Sequence, residues 1–191
     1  MTRMHGVTIA VALWASVPLA AMGQPVISPP VPLAGSAVDQ PVESRSENGL
    51  SVRVVKLAEG LSHPTGMVFL PDGQTILVVE RPGRLRVVKG GVLDPNPVAG
   101  VPTVHNLSLG GMHDIVRHPD FAANRFLYLS YSKEGPRGTT LAVARARFDQ
   151  SRLMDMQDIL VAEAWGSPLG TYGGRMIFGP DHRTLIPLSL T

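Results

Sequence analysis

The chain has 191 residues, 44% of them hydrophobic and 17% charged, a balance that excludes both a disordered and a membrane-filling polypeptide. With 17 Lys/Arg against 15 Asp/Glu the net charge is +2, and without a basic run nucleic acid is not an expected partner. Cysteine is absent, which removes disulfides, thiolate metal sites, cysteine nucleophiles and a lipoprotein anchor from consideration.

Residues 1–23 read as a secretory signal peptide. Arg3 and His5 give the polar start, VTIAVALWASVPLAA the apolar segment, and Ala21-Met22-Gly23 the small residues before a cut at Gln24. About 15 apolar residues interrupted by Ser16 and Pro18 are short of the roughly 20 that span a bilayer, so the mature chain is expected free of the membrane, in the periplasm or secreted. Residues 24–48 mix Pro, Ser and acidic side chains without periodicity and predict a flexible leader with no folded element. The globular part is expected over residues 49–191.

Residues 52–57 alternate and are β-branched, which predicts a strand. His63-Pro64-Thr65-Gly66 is a turn feeding a strand at 67–70, and Pro71-Asp72-Gly73-Gln74 is a hairpin turn. Strands at 75–80 and 84–88 flank the turn Arg81-Pro82-Gly83. These four short strands predict one antiparallel sheet, closed by Lys89-Gly90-Gly91. Residues 93–107 are a Pro-broken connection.

A second sheet is expected from strands at 112–116 and 126–131, joined by a polar connection with His118-Pro119-Asp120, and from a strand at 139–148. In that last run Leu141, Val143 and the alanines are expected on one side and Arg145 and Arg147 on a solvated face. Residues 153–165 admit a helix through Met154, Ile159, Leu160 and Ala164, or a strand at 159–162; the strand is preferred because its surroundings are β. A glycine-rich loop at 166–174 precedes a strand beginning at Met176, and Pro187 demotes the apolar run after it as a strand.

The strand-then-Pro-Asp figure occurs three times, at Pro71-Asp72, Pro119-Asp120 and Pro180-Asp181, spaced by 48 and 61 residues. Propeller blades run to about 40–50 residues and rings hold about 4–8 of them, so the globular part has room for about three. Three units cannot close a ring. The expectation is therefore an all-β fold made of β-propeller blades, incomplete as written and self-associating through its open edges, against a small sandwich that imitates one.

Spacing alone yields no catalytic or metal centre. The 166–174 loop lacks the Gly-Lys-Ser/Thr of a phosphate loop. His113 and His118 are an odd number of residues apart and point to opposite strand faces, and His113-Asp114 is likewise no hydrogen-bonded dyad. No Ser–His–Asp set can be chosen without arbitrariness. Asn106-Leu107-Ser108 fits a glycosylation acceptor, a pattern short enough to arise by chance, and Trp165 reads as a core or loop anchor.

Three runs nevertheless resemble, in order and in spacing, the soluble PQQ-dependent sugar dehydrogenases of the glucose/sorbosone dehydrogenase family. The first is His63-Pro64-Thr65-Gly66-Met67 through Pro71-Asp72-Gly73 to Glu80-Arg81-Pro82-Gly83-Arg84-Leu85. The second is Gly110-Gly111-Met112-His113-Asp114 with His118-Pro119-Asp120-Phe121 and Tyr128-Leu129-Ser130-Tyr131, and the third is Gly173-Gly174-Arg175 with Phe178-Gly179-Pro180-Asp181. The resemblance implies the first three blades of a six-bladed propeller. It also implies oxidation of the anomeric hydroxyl of an aldose by a bound quinone, PQQ, beside a calcium ion, with a histidine as base and a separate electron acceptor.

Two positions depart from the family pattern. The base position falls on Thr171, which has no nitrogen that titrates near neutral pH, and a quinone-contacting glutamine falls at about Leu109. His113 is the nearest imidazole in sequence, and the family's calcium ligands and quinone-holding basic residues correspond to later blades beyond Thr191. The expectation is a truncated, inactive sugar dehydrogenase without a metal site of its own. The alternatives are a non-catalytic exported binding module of propeller type and an unrelated β-sandwich.

Overall fold

The computed structural model describes residues 42–45, 48–167, 169 and 173–188. The proposed signal peptide and Thr171 lie outside them. Among the described residues the chain is almost entirely antiparallel sheet, and no helix is long and apolar enough to cross a membrane.

The chain enters through a two-stranded sheet, β1 (Val42–Arg45) against β2 (Ser51–Val54), paired Val42 to Val54 and Arg45 to Ser51. This corrects two expectations. The leader contains a strand, because Val42-Glu43-Ser44-Arg45 finds a β-branched partner across a turn holding Gly49 at φ +79°. The 52–57 segment belongs to that hairpin and not to the four-stranded sheet that follows.

That sheet has the order β3 (Pro64–Phe69), β4 (Thr75–Glu80), β5 (Arg84–Lys89), β6 (Val92–Leu93). Its fourth strand is the short β6, reached through Gly90 and Gly91, both with positive φ, where a closing turn was expected. All six residues of β4 are buried, since Leu77 and Val79 face one side and Ile76 and Val78 the other. An unbroken apolar run is what a strand covered on both faces requires.

The second sheet runs β7 (Met112–Arg117), β8 (Phe126–Gly135), β9 (Gly138–Asp149), β10 (Arg152–Val161). Between β7 and β8 the expected polar connection contains one helical turn, α1 (Phe121–Asn124), which buries Phe121. The ambiguous 153–165 segment is strand, as preferred, but the strand takes in ten residues and accommodates register shifts after Met154 and Asp158. Residues 141, 143, 145 and 147 share one face of β9, so the arginines lie beside Leu141 and Val143 and not across from them. There Arg145 is half-buried, and the Phe126 ring lies 4.6 Å from the Arg145 guanidinium and 5.2 Å from that of Arg147.

The third unit is the hairpin of β11 (Arg175–Phe178) and β12 (Leu185–Leu188). Pro187 sits opposite Met176 within β12. It is tolerated because a two-stranded ribbon leaves one side of each strand unpaired, the position where a missing N–H costs no ladder bond.

The repeated Pro-Asp figure is the turn of each unit's first hairpin. Asp72 accepts the amides of Gln74 and Thr75 at 3.0 and 2.9 Å and the Thr75 hydroxyl at 2.6 Å. Asp181 does the same with Arg183, Thr184 and the Thr184 hydroxyl, at 3.0, 2.9 and 2.5 Å. These bonds hold the Asp181 carboxyl down to about 2, the Thr184 hydroxyl first among them. The second copy differs. Asp120 makes no side-chain cap, and the His118 ring nitrogen accepts the Asp120 amide instead.

The main core lies between the first and second sheets, built from Leu77, Val79 and Leu85 on one side and Ile115, Leu127, Leu129 and Phe148 on the other. Val98 drops into it from the Pro-broken connection, whose Ala99 bridges to β10 through Ala99 N to Ser151 O and Leu153 N to Ala99 O. A second cluster joins the second sheet to the third unit through Tyr128, Val143, Met176 and Phe178. Each large side chain so buried contributes roughly 1.5–3 kcal/mol. The sheets are stacked face to face, with β7 between β3 and β11.

Gly66 marks how close the first two sheets approach. A Cβ there would lie 2.6 Å from Asp114 Oδ1, 3.0 Å from Asp114 Cα and 3.2 Å from Val79. Gly66→Ala should destabilise the fold by about 1–3 kcal/mol through overpacking. Gly73→Ala, in open space at φ +68°, should cost about 1 kcal/mol through backbone strain alone. Urea unfolding of both variants checks the order; Gly66→Ala matching the wild type would contradict this packing.

Candidate functional site

The first strands of the three units begin at a common end, and their first residues make the candidate site. Asp114, the third residue of β7, is buried and touches both neighbours. Its Oδ2 accepts the Met176 amide of β11 at 2.9 Å, its Oδ1 faces Arg175 Nη1 at 3.4 Å, and the same Oδ1 with the Asp114 Cα fills the space left by Gly66 of β3. Thr65 donates its hydroxyl to Met112 O at 2.9 Å, and Ser130 donates to Gly174 O at 2.5 Å. Side chains of β3, β7 and β8 thus bond the backbone of the next unit.

The approach to β3 is fastened by a second carboxylate. Glu80 is fully buried at the end of β4, where it accepts the Ser62 amide and Arg84 Nε, both at 2.6 Å, with Arg86 Nη1 at 3.6 Å. Burial pushes its carboxyl up, but the Ser62 amide and the Arg84 and Arg86 guanidiniums outweigh that and hold it below the usual carboxylate range.

His113 and His118 lie at opposite ends of β7. His113 Nε2 is 2.9 Å from Ser132 Oγ, and its Cβ would be 2.6 Å from a Cβ added at Gly174, so the third unit leans directly on it. His118 is enclosed by Tyr128 and Phe178, with ring centroids at 6.3 and 5.4 Å, and its Nδ1 is 2.8 Å from Asn124 Nδ2. It belongs to the packing of the Pro-Asp turn. Leu109, at the position of the family's glutamine, is exposed just before Gly110. Trp165 is a half-buried loop anchor with Arg137 5.4 Å over its ring, and its six-membered ring would meet a Cβ added at Gly135. Asn106 is exposed.

Burial pushes the His113 imidazole down to about 4, so near neutral pH it is uncharged. It can accept a proton or a hydrogen bond, but its conjugate acid is strong and its basicity low. Arg175 has the opposite character. Its side chain is 69% exposed, against 5% for its partner Asp114, and a single contact at 3.4 Å leaves most of its donors open. The rim therefore offers one open cation, Arg175, beside the uncharged His113–Ser132 pair, with His113 packed into the space left by Gly174. Neither Asp114 nor Glu80 was singled out by sequence reasoning. The available signal was a carboxylate on the Met112 face of an alternating strand.

The glucose/sorbosone dehydrogenase family model matches residues 61–189. An uncharacterized protein of Synechocystis is 40% identical over 156 residues, covering 77% of this chain and 37% of its own. The aldose sugar dehydrogenase YliI of Escherichia coli is 35% identical over 131 residues, covering 67% and 35%. Among solved structures, a glucose dehydrogenase superposes with a TM-score of 0.62 at 37% identity, covering 66% of this chain and 38% of that one. The PQQ-bound aldose sugar dehydrogenase of Streptomyces coelicolor superposes with a TM-score of 0.60 at 23% identity, covering 70% and 40%. The likeness to these propellers fixes the two four-stranded sheets as consecutive blades and the β11–β12 hairpin as the start of a third. The chain spans little more than a third of the length of the curated relatives it matches.

His113 carries a pH consequence. Its folded pKa lies below the ordinary 6.5, so between those values the unfolded chain binds a proton that the folded chain refuses. Its stabilising contribution is complete above pH 6.5 and is lost as pH falls toward 4. His113→Gln should flatten the stability profile in that window, followed by urea midpoints at half-unit pH steps; an unchanged slope would show that His113 is not the titrating group.

Proposed function

This chain belongs to the glucose/sorbosone dehydrogenase family, and on that premise we propose that it forms one wall of a quinone-dependent aldose dehydrogenase site and, with the residues it has, binds without turning over. The observation that carries this reading is the convergence of three first strands on Asp114, at the end where the loop bearing Thr171 enters β11. When bound, PQQ supplies the two-electron acceptor for oxidation of an anomeric hydroxyl.

The roles of the chain's own residues follow from their surroundings. Asp114 is a positioning residue that holds Arg175 and the β11 amides in place. Arg175, with most of its guanidinium open, would hold a carboxylate of the quinone. His113 and Ser132 close the wall behind it and exclude water. The missing element is a base. Thr171 cannot take a proton near neutral pH, and His113, with a pKa about three units below a neutral working pH, is poorly matched to the task. This favours the non-catalytic binding module as the second reading, in which quinone or sugar is held and not oxidised. Calcium, if it is used, is expected to draw on ligands outside the described residues.

The test measures two quantities on the full chain: PQQ binding by equilibrium dialysis, and aldose-dependent reduction of a dye in the presence of PQQ and calcium. Saturable quinone binding with no detectable turnover is expected, with binding weakened about 10-fold by Arg175→Ala, the loss of one charge-assisted contact. Turnover by the chain with Thr171 in place would overturn the inactive reading. Failure to bind either quinone or aldose would overturn both.

We further propose that the chain is exported to the periplasm or beyond and that residues 1–23 are removed. This rests on Arg3, His5 and the apolar segment that follows. Self-association of the mature chain is part of the same reading, because Met67 and Phe69 project from β3 at 61% and 52% exposure. Mass spectrometry of exported chain should find Gln24 as the first residue, and sedimentation should find an oligomer. Retained Met1 contradicts the first statement, a clean monomer the second.

A further inference from the structure

At the opposite end of the first strands a cleft of about 380 Å³ opens between the first two blades. It is bounded by the β3–β4 turn, the end of β5, α1 and the β9–β10 turn. We propose that this cleft binds a small carboxylate with a flat apolar body, of the benzoate type, whose charge is met by Lys89 and Arg125 and whose ring rests on Leu70, Phe121 and Phe148.

The charges in the cleft are uneven. Lys89 and Arg125 both line it, and among the described residues neither has a carboxylate partner within ion-pair distance. The acid that shares the cleft, Asp72, has both oxygens occupied by the amides and hydroxyl of its own turn. Among the lining residues two cations thus stand against one anion, Asp72, whose charge acts on Lys89 but whose oxygens are already engaged by its own turn. The floor is apolar, with Phe121 and Phe148 0% and 4% exposed. An inorganic anion would engage only the cations, whereas an aryl carboxylate would also pack against the apolar lining.

The backbone points to the same place. Arg125 and Gln150, both lining the cleft, are held at φ 60° and φ 45°, in the left-handed region where glycine is the low-cost residue. Arg125 is pinned from both sides, its amide donating to Phe121 O and its carbonyl accepting from Phe148 N, each at 2.9 Å. Its guanidinium lies 5.4 Å from the Phe121 ring centroid, laid along the cleft wall. Backbone strain kept at a long cationic residue, where glycine would relieve it, is the kind of outlier that accompanies a used side chain.

The test is equilibrium dialysis of the full chain against labelled benzoate, with benzyl alcohol and inorganic phosphate as competitors. Dialysis counts bound ligand in monomer and oligomer alike. We expect saturable binding of one benzoate per chain, with each competitor at least tenfold weaker. Arg125→Gly suits φ 60° and removes only the side chain, and with Lys89→Gln it should weaken benzoate at least tenfold. Should that double variant lose its β-sheet circular dichroism, Lys89→Gln alone, at an exposed position, carries the same direction of effect. Non-saturable benzoate uptake, unchanged affinity in the variants, or phosphate equal to benzoate would each overturn the proposal.

Discussion

The contact on which the rest of this structure depends is the buried carboxylate of Asp114 against the backbone of the neighbouring blades. A carboxylate out of water is stable only when donors replace the water it has lost, and here the Met176 amide and Arg175 do so from the third unit. On the other side Gly66 leaves room for the same group. One side chain therefore sets the separation of three strands that belong to three different sheets and share no ladder bonds. The hydroxyls of Thr65 and Ser130 repeat the device at lower stakes. Below this polar rim the stacking is apolar, and strength passes to Leu77, Val79, Ile115 and Phe148.

That division of labour makes the rim the place where position is specified. The apolar stacking beneath it is non-directional and tolerates any set of side chains of the right volume. The polar rim fixes position, and it leaves Arg175 only loosely engaged and largely exposed. The same rim holds His113 neutral through burial, which suits a wall better than a base. Membership of the family and the proposed loss of a base at Thr171 are compatible on this reading, because a binding surface and a proton acceptor are separate parts.

The repeat was legible in the sequence because its chemistry is local. The aspartate of a Pro-Asp turn bonds the residues two and three positions further on, as Asp72 and Asp181 do, so it can be read in a window of five. Strands such as β4, with an apolar run bounded by turns, were equally plain. What escaped was whatever depends on a partner outside the window being read, whether near in the chain or far. β1 is visible only with β2 in place, and β6 is two residues long. The strand at Pro187 survives because its free side needs no donor. Arg145 and Arg147 are drawn onto their strand face by Phe126, which no alternation pattern contains. Asp114 escaped for the same reason. Beside His113 it invites comparison with a dyad, whereas its partners are 48 residues before it, at Gly66, and 62 after, at Met176.

Hydrogen exchange of the Met176 amide, compared between wild type and Asp114→Asn, tests the central role of Asp114 most directly. The variant keeps the shape of the side chain but replaces one carboxylate oxygen with an NH2 donor, so it can no longer accept from both Met176 N and Arg175, while the apolar stacking below is untouched and a global loss of fold is not expected. If Asp114 is the tie between blades, the Met176 amide and its β11 neighbours should exchange much faster in the variant while the β4 amides stay protected. Equal protection of β11 in both proteins would contradict the account, and would mean that the apolar contacts of Met176 and Phe178 hold the third unit unaided.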